Sequence, residues 1–272
     1  MSNLMAGWSN LQQRVVVAFL GMGIFGGLLF SGLEGAMFLF FGLTFLCMWE
    51  FCSVAPFHYS FSEKILLSLA AGFAFGILVF SDYFSLALGL LLLLPVSLVG
   101  STVFSGNEKP FEKAGWTLLG WTYLSLPWYC MMSMLKNLPY NPLLFFGLFG
   151  LLWMADSGAY FAGRSLGKTK LLPAVSPKKT WEGLAGGLAG SLTLAWILSY
   201  YLPQFSLSQW LMLATSTTLF GTLGDLAESR LKRSQEMKDS GNMLPGHGGF
   251  LDRFDGFFMA APVNYLLVEF IF

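Results

Sequence analysis

The sequence predicts an all-α, polytopic integral membrane protein of about nine transmembrane helices with a cytoplasmic N-terminus. Three observations carry that prediction. Fifty-five per cent of the residues are apolar and eleven per cent are charged, where soluble domains carry roughly 25% charged. Mean hydropathy is +0.64, and apolar runs recur at about the length that a bilayer core of roughly 30 Å demands. The basic residues also segregate to alternate connections between those runs, as the positive-inside rule requires.

Taken in order, the candidate spans are residues 15–31, 33–55, 64–81, 83–104, 115–135, 142–162, 183–202, 208–225 and 251–271. Only Ser31 to Gly35 separates the first two, so a re-entrant hairpin is an alternative to two full crossings there. Counted from an inside N-terminus, the spans leave Arg14, Lys64, Lys109 and Lys113 on the cytoplasmic side. Arg164, Lys168, Lys170, Lys178 and Lys179 fall on that side too, as do Arg230, Lys232, Arg233, Lys238 and Arg253. Lys136 alone falls outside, and a count wrong by one span would scramble this pattern. The N-terminus shows no cleavable signal pattern: Arg14 precedes an apolar run with no small-residue cleavage site, so the run reads as a retained first span.

The net charge is zero, which gives no electrostatic reason to expect a nucleic-acid partner. Cys47, Cys52 and Cys130 lie in or beside apolar segments without metal-ligand spacing and read as small apolar packers. Residues 1–140 form an N-terminal transmembrane scaffold with plain connections, and residues 141–272 a catalytic half holding nearly all the charged clusters, within one continuous membrane domain. Three carboxylates in the first part, Glu34, Glu50 and Asp82, sit in turns or near a span end, where water is expected to reach them.

Chemistry concentrates in three stretches. The first closes the sixth span as Trp153-Met-Ala-Asp156-Ser-Gly-Ala-Tyr160-Phe-Ala-Gly-Arg164, with Asp156 among small residues that permit close helix packing; it is expected to face a polar cavity, the alternative being a packing pair with a basic neighbour. The overlapping run Ala162 to Thr169 approaches the phosphate-loop pattern but has alanine at the first glycine and follows a transmembrane helix instead of a strand. Its basic residues can meet phosphates at the membrane edge without that motif. The second stretch, Ser176-Pro-Lys178-Lys179-Thr180-Trp181-Glu182-Gly183, holds two lysines between a Ser-Pro turn and a helix start. Phosphate binding and simple membrane anchoring both explain them.

The third stretch runs from Leu223 to Asp255 and packs six carboxylates, five basic residues, a histidine and a glycine-rich turn into an otherwise apolar chain. Asp225, Glu228, Ser229 and Lys232 recur at helical spacing on one face, beside Gly221 and Gly224, which leave room for a ligand. Asp252 and Asp255 fall in the first turn of the ninth span, where the helix dipole favours carboxylates. Carboxylates on two helix ends, surrounded by lysines and arginines, are the parts phosphoryl or nucleotidyl transfer needs, and oxygen ligands suit Mg²⁺. His247 has no second histidine near it, which argues against zinc and leaves a phosphate contact or a turn hydrogen bond.

The run Ser229-R-L-Lys232-Arg233-S-Q-E-M-Lys238-Asp239-S-Gly241-N-M-L-P-G-His247-Gly248-Gly249-F-L-Asp252-Arg253-F-Asp255 resembles the signature of phosphatidate cytidylyltransferases. Asp156-Ser-Gly-Ala-Tyr160 and Ser176 to Gly183 are similar to two further segments of that family. The resemblance covers about residues 150 to 265 and implies a homodimeric membrane enzyme that condenses CTP with phosphatidic acid to CDP-diacylglycerol and pyrophosphate. It also implies Asp225 and Asp252 as leading Mg²⁺ ligands, with Asp255 and Asp156 near the same centre and room for a second cation. Lys178, Lys179, Lys232, Arg233 and Arg253 would then meet phosphates, and Arg164, Ser176, Lys238 and His247 complete the substrate-binding set. The compact chain points to a bacterial inner membrane with the active site on the cytoplasmic face. A CTP-dependent polyprenol-type lipid kinase and a cation transporter are the competing readings.

Overall fold

The computed structural model describes residues 10–80, 96, 98–100, 102–103, 109–237, 240–241, 243 and 248–272. Eight long helices lie among the described residues: α1 (Asn10–Phe30), α2 (Leu33–Val54), α3 (Phe61–Phe80), α4 (Pro110–Asn137), α5 (Pro142–Leu166), α6 (Trp181–Tyr201), α7 (Leu207–Ser234) and α8 (Leu251–Phe270). Each coincides with an expected span, although most run a few residues beyond it. Most of the fourth expected span, 83–104, and Asp82 lie outside the described residues.

Four of these helices are long and apolar enough to cross a membrane by length and composition: Leu33–Val54, Phe61–Val79, Pro142–Leu166 and Trp181–Tyr201. Large apolar side chains project from them into the surroundings, among them Phe38 at 74% exposure, Phe73 at 61% and Phe161 at 69%. That pattern suits hydrocarbon as the solvent far better than water. The chain breaks between α1 and α2 at Gly32, whose φ of 109° is a conformation that glycine adopts without steric penalty.

Strand structure was not expected. Between α5 and α6 the chain forms an antiparallel hairpin, β1 (Lys170–Leu172) with β2 (Ser176–Thr180), pairing Lys170 with Thr180 and Leu172 with Ser176. Among the described residues the architecture is therefore helical with one small two-stranded insertion, and that insertion carries the lysine pair. Thr180 ends β2 and caps α6, its hydroxyl accepting the Gly183 N–H at 3.1 Å. A capping box between Ser206 and Gln209 starts α7 in the same way.

Two compact units divide the chain, one of residues 1–132 with 239–251 and one of residues 133–238 with 252–272. In the first, Phe40 of α2 stacks on Trp128 of α4 at 5.1 Å and meets Phe75 of α3 edge-on at 6.4 Å. All three cysteines are free and buried, as expected of apolar packers. Glu34 is exposed, but Glu50 is 2% exposed, contrary to the expectation that water reaches it. The reason is a partner that spacing along α2 does not reveal: Glu50 accepts the Leu251 N–H at 2.9 Å.

In the second unit α5 and α6 approach at backbone distance. A Cβ on Gly158 would lie 2.4 Å from the Gly186 carbonyl oxygen, and one on Gly187 would lie 2.6 Å from that of Ala155. Small residues are what let two apolar helices close in this way. Phe149 stacks on Phe257 at 4.9 Å, and Asn264 of α8 accepts from Ser216 and donates to Thr217 of α7 at 2.8 Å.

Candidate active site

The second unit holds a cavity of about 440 Å³ whose polar lining comes from three elements. Helix α5 contributes Asp156, Tyr160 and Arg164, the hairpin contributes Lys178 and Lys179, and α7 contributes Asp225. The rest of the wall is largely small or apolar, including Ala155, Ala159, Gly163, Gly183 and Gly187. Five of the residues expected at the site, Asp156, Arg164, Lys178, Lys179 and Asp225, are thus brought to one surface.

Lys179 Nζ stands 2.5 Å from Asp225 Oδ2, with both side chains partly exposed. Asp225 Oδ1 also accepts the Ser229 hydroxyl at 3.2 Å, one turn along the predicted stripe. Arg164 donates to the Tyr160 hydroxyl at 3.1 Å, which holds the guanidinium at the cavity edge. Cationic and anionic groups therefore share the lining, which suits a ligand that carries phosphates and a cation together.

A second cluster lies where α7 meets the first turn of α8. Lys232 Nζ stands 2.8 Å from Asp252 Oδ1 and 3.2 Å from Glu228 Oε1, with Glu228 only 2% exposed at its side chain. Burial pushes the Glu228 carboxyl up to about 9, with the Asp255 charge adding to the rise and the Lys232 ammonium opposing it. At neutral pH Glu228 is therefore protonated, and the ion pair proper is Lys232 with Asp252. Asp255 joins the two clusters electrostatically: its charge acts on Glu228, and the charges of Asp225 and Asp156 act on it. Its own Oδ1 accepts the Gly256 N–H at 2.7 Å.

The helix crossing that makes this possible corrects one expectation. Gly221 and Gly224 were read as leaving room for a ligand, but a Cβ on Gly224 would lie 2.3 Å from the Asp255 carbonyl oxygen. The space beside Gly224 is filled by the backbone of α8 and that beside Gly221 by the Leu152 side chain, and Gly224 lets the Asp255 backbone come close to α7. Lys232, expected to meet phosphate, is instead held between two acids because its side chain reaches one turn back and across to α8.

The remaining candidates are placed as follows. Ser176 opens β2 opposite Leu172 and does not line the cavity. Arg233 is exposed and donates to the Met237 carbonyl at 3.4 Å, and Arg253 is exposed in the first turn of α8. Lys238 and His247 lie outside the described residues. The phosphate-loop reading of Ala162 to Thr169 is answered by Glu182, whose carboxylate accepts the Lys168 N–H at 3.1 Å and the Thr169 N–H at 3.1 Å. Those amides are engaged by a carboxylate and do not form a phosphate cradle. Sequence reasoning missed the structural part Glu182 plays, and it put Glu228 on the right helix face without making it a site residue.

The oxygen-only donor set of Asp156, Asp225, Asp252 and Asp255 fits Mg²⁺ by its chemistry. Three of the four, Asp156, Asp225 and Asp255, repel one another electrostatically, a repulsion that a divalent cation would relieve. Among the described residues no group of three or more acidic, histidine or cysteine side chains stands in metal-holding geometry.

Residues 12–271, nearly the whole chain, match the model of the cytidylyltransferase family. The chain belongs to the cytidylyltransferase family. Its relatives include the phosphatidate cytidylyltransferase of Bacillus subtilis, 37% identical over 227 residues that cover 82% of this chain and 76% of the relative. That of Staphylococcus saprophyticus is 42% identical over 176 residues, covering 63% of this chain and 66% of the relative. The match with the family extends well beyond the stretch of about residues 150 to 265 that carries the resemblance, into the apolar N-terminal helices.

Proposed function

We propose that this chain is a phosphatidate cytidylyltransferase, which condenses CTP with phosphatidic acid to give CDP-diacylglycerol and pyrophosphate. The observation that supports it best is the cavity where Asp156, Arg164, Lys178, Lys179 and Asp225 converge, in a chain of that family. A lipid phosphate is anionic at neutral pH, so its oxygen can attack the α-phosphorus of CTP without a strong general base. The bond from the α-phosphorus to the bridging oxygen breaks, and pyrophosphate leaves with that electron pair.

Two anions must be brought together, so the protein's task is positioning and charge neutralisation. Lys178, Lys179 and Arg164 would bind phosphate oxygens, and Asp225, Asp252, Asp255 and Asp156 would hold Mg²⁺, with a second cation as an option. Bound there, the metal supplies charge neutralisation and phosphate orientation. Lys179 is well placed to exchange its hold on Asp225 for a substrate oxygen, because both groups open into the cavity.

The same reading includes nine spans with the N-terminus inside, a homodimer, and an active site on the cytoplasmic face of a bacterial inner membrane. The distribution of lysine and arginine supports the orientation. The deciding experiment gives the purified protein phosphatidic acid and CTP labelled at the α-phosphate. Label in the lipid is expected. Transfer from γ-labelled CTP alone would instead mean a lipid kinase, and cation flux in liposomes without CTP would mean a transporter.

A further inference from the structure

Glu50 is a carboxylate in the apolar C-terminal part of α2, far from the exposed Glu34 of its first turn, and it is almost wholly buried. A buried charge costs several kcal/mol unless hydrogen bonds and dipoles meet it. Here one such partner is the N-terminus of α8: Oε2 accepts the Leu251 N–H, one of the first-turn donors that have no partner within a helix.

Space gives a second, independent observation. A Cβ on Gly241 would lie 2.7 Å from Glu50 Oε1, and one on Gly249 would lie 2.5 Å from Glu50 Oε2. Gly248 has a φ of 85°, which explains a glycine by backbone conformation, but Gly241 and Gly249 have no positive φ. Their missing side chains answer a need for room, which Glu50 takes at Gly241 and shares with the Ser240 hydroxyl at Gly249. Ser240, 1% exposed, closes the same cluster. All these residues belong to one compact unit.

We infer that Glu50 is a positioning residue for cytidylyl transfer: its carboxylate lies against Gly241 and Gly249 and fixes the start of α8 through the Leu251 N–H. Asp252 is the next residue along α8 and takes its place from that anchor. The inference rests on the reading above that Asp252 serves the reaction.

The test is a set of variants in the full-length protein in detergent, read by hydrogen exchange of the peptide spanning Phe250 to Asp255 and by steady-state transfer. Glu50→Ala is expected to speed exchange at the α8 start at least tenfold and to lower kcat at least tenfold, with KM for CTP within twofold of wild type. Glu50→Gln, which keeps an oxygen acceptor, is expected to recover most of both. Gly241→Ala should reproduce the loss beside Glu50, and Glu50→Asp, by drawing the carboxylate back one methylene, should rescue Gly241→Ala at least fivefold. That pair keeps the test decisive if Glu50→Ala fails to fold. Unchanged exchange at the α8 start in Glu50→Ala, or no rescue of Gly241→Ala, overturns the inference. A wild-type protein without transfer activity would sink the cytidylyltransferase reading, whereas the exchange measurements still report on the anchor alone.

Discussion

Replacing Gly158 by alanine tests whether the α5–α6 approach holds the cavity in shape. The new Cβ would meet the Gly186 carbonyl oxygen at 2.4 Å, its carbonyl carbon at 3.0 Å and the Gly187 Cα at 3.1 Å. All three are backbone atoms, so no side-chain rotation relieves the clash, and ordinary contact requires the helices to part by about 1 Å. Alanine gains about 1 kcal/mol of helix propensity over glycine, while overpacking of this kind costs about 1–3 kcal/mol. The net effect is a loss of up to about 2 kcal/mol in stability. Gly150→Ala on the same helix is the control, since its Cβ meets only the Leu194 Cδ2 at 3.1 Å, the tip of a flexible side chain. That variant should be neutral or slightly stabilised. Helix α5 carries Asp156 and Arg164 and α6 follows directly on the lysine pair, so a shift of about 1 Å should lower transfer by up to about 100-fold in Gly158→Ala alone. Thermal melts in detergent and incorporation of α-label into lipid measure both quantities. If the two variants behaved alike in both assays, close approach at Gly158 would not be what shapes the site.

Further substitutions separate the roles proposed for individual groups. Asp225→Asn and Asp252→Asn should each lower kcat by at least about 100-fold at saturating Mg²⁺, and Asp252→Asn should also lower the melting temperature because it takes the partner from the buried Lys232; near-normal turnover in either removes that residue from the metal set. Lys179→Ala should raise the KM for a phosphate-bearing substrate about tenfold or more, and an unchanged KM for both CTP and phosphatidic acid would argue that the lysine only balances Asp225. Glu228 should make stability depend on pH. Its folded-state value is raised from 4.5 to about 9, so its contribution is complete below 4.5 and is lost as pH rises towards 9. The slope is at most about 1.4 kcal/mol per pH unit. Glu228→Gln should flatten the stability profile between about pH 5 and pH 8, and an unaltered profile would show that Glu228 does not titrate in that window.

Helices were legible because their cause is local: an apolar run of the right length declares itself, and all eight described helices fall on expected spans. The hairpin was not, because Lys170–Leu172 is only three residues long and Ser176–Thr180 is polar and interrupted by Pro177, so only their pairing makes them strands. The convergence of Asp156, Lys178, Lys179 and Asp225 could be foreseen, since topology put all four on one membrane face. What Lys232 and Glu50 do could not, because each is decided by a partner far along the chain: Asp252 for the first, Leu251 for the second. For Glu228 the helical spacing gave the face, but its burial depends on how α8 crosses α7.

The tie between Glu182 and the amides of Lys168 and Thr169 has a thermodynamic consequence. It closes the segment between α5 and α6 into a ring, stitched inside by the strand pairing and shut at the Trp181 N–H, which donates to the Thr169 carbonyl at 3.0 Å. Lysines on an open loop would have to surrender their backbone freedom each time a phosphate arrived. In a closed ring that disorder is already gone when the chain has folded, so more of the attraction between ammonium and phosphate remains available for affinity.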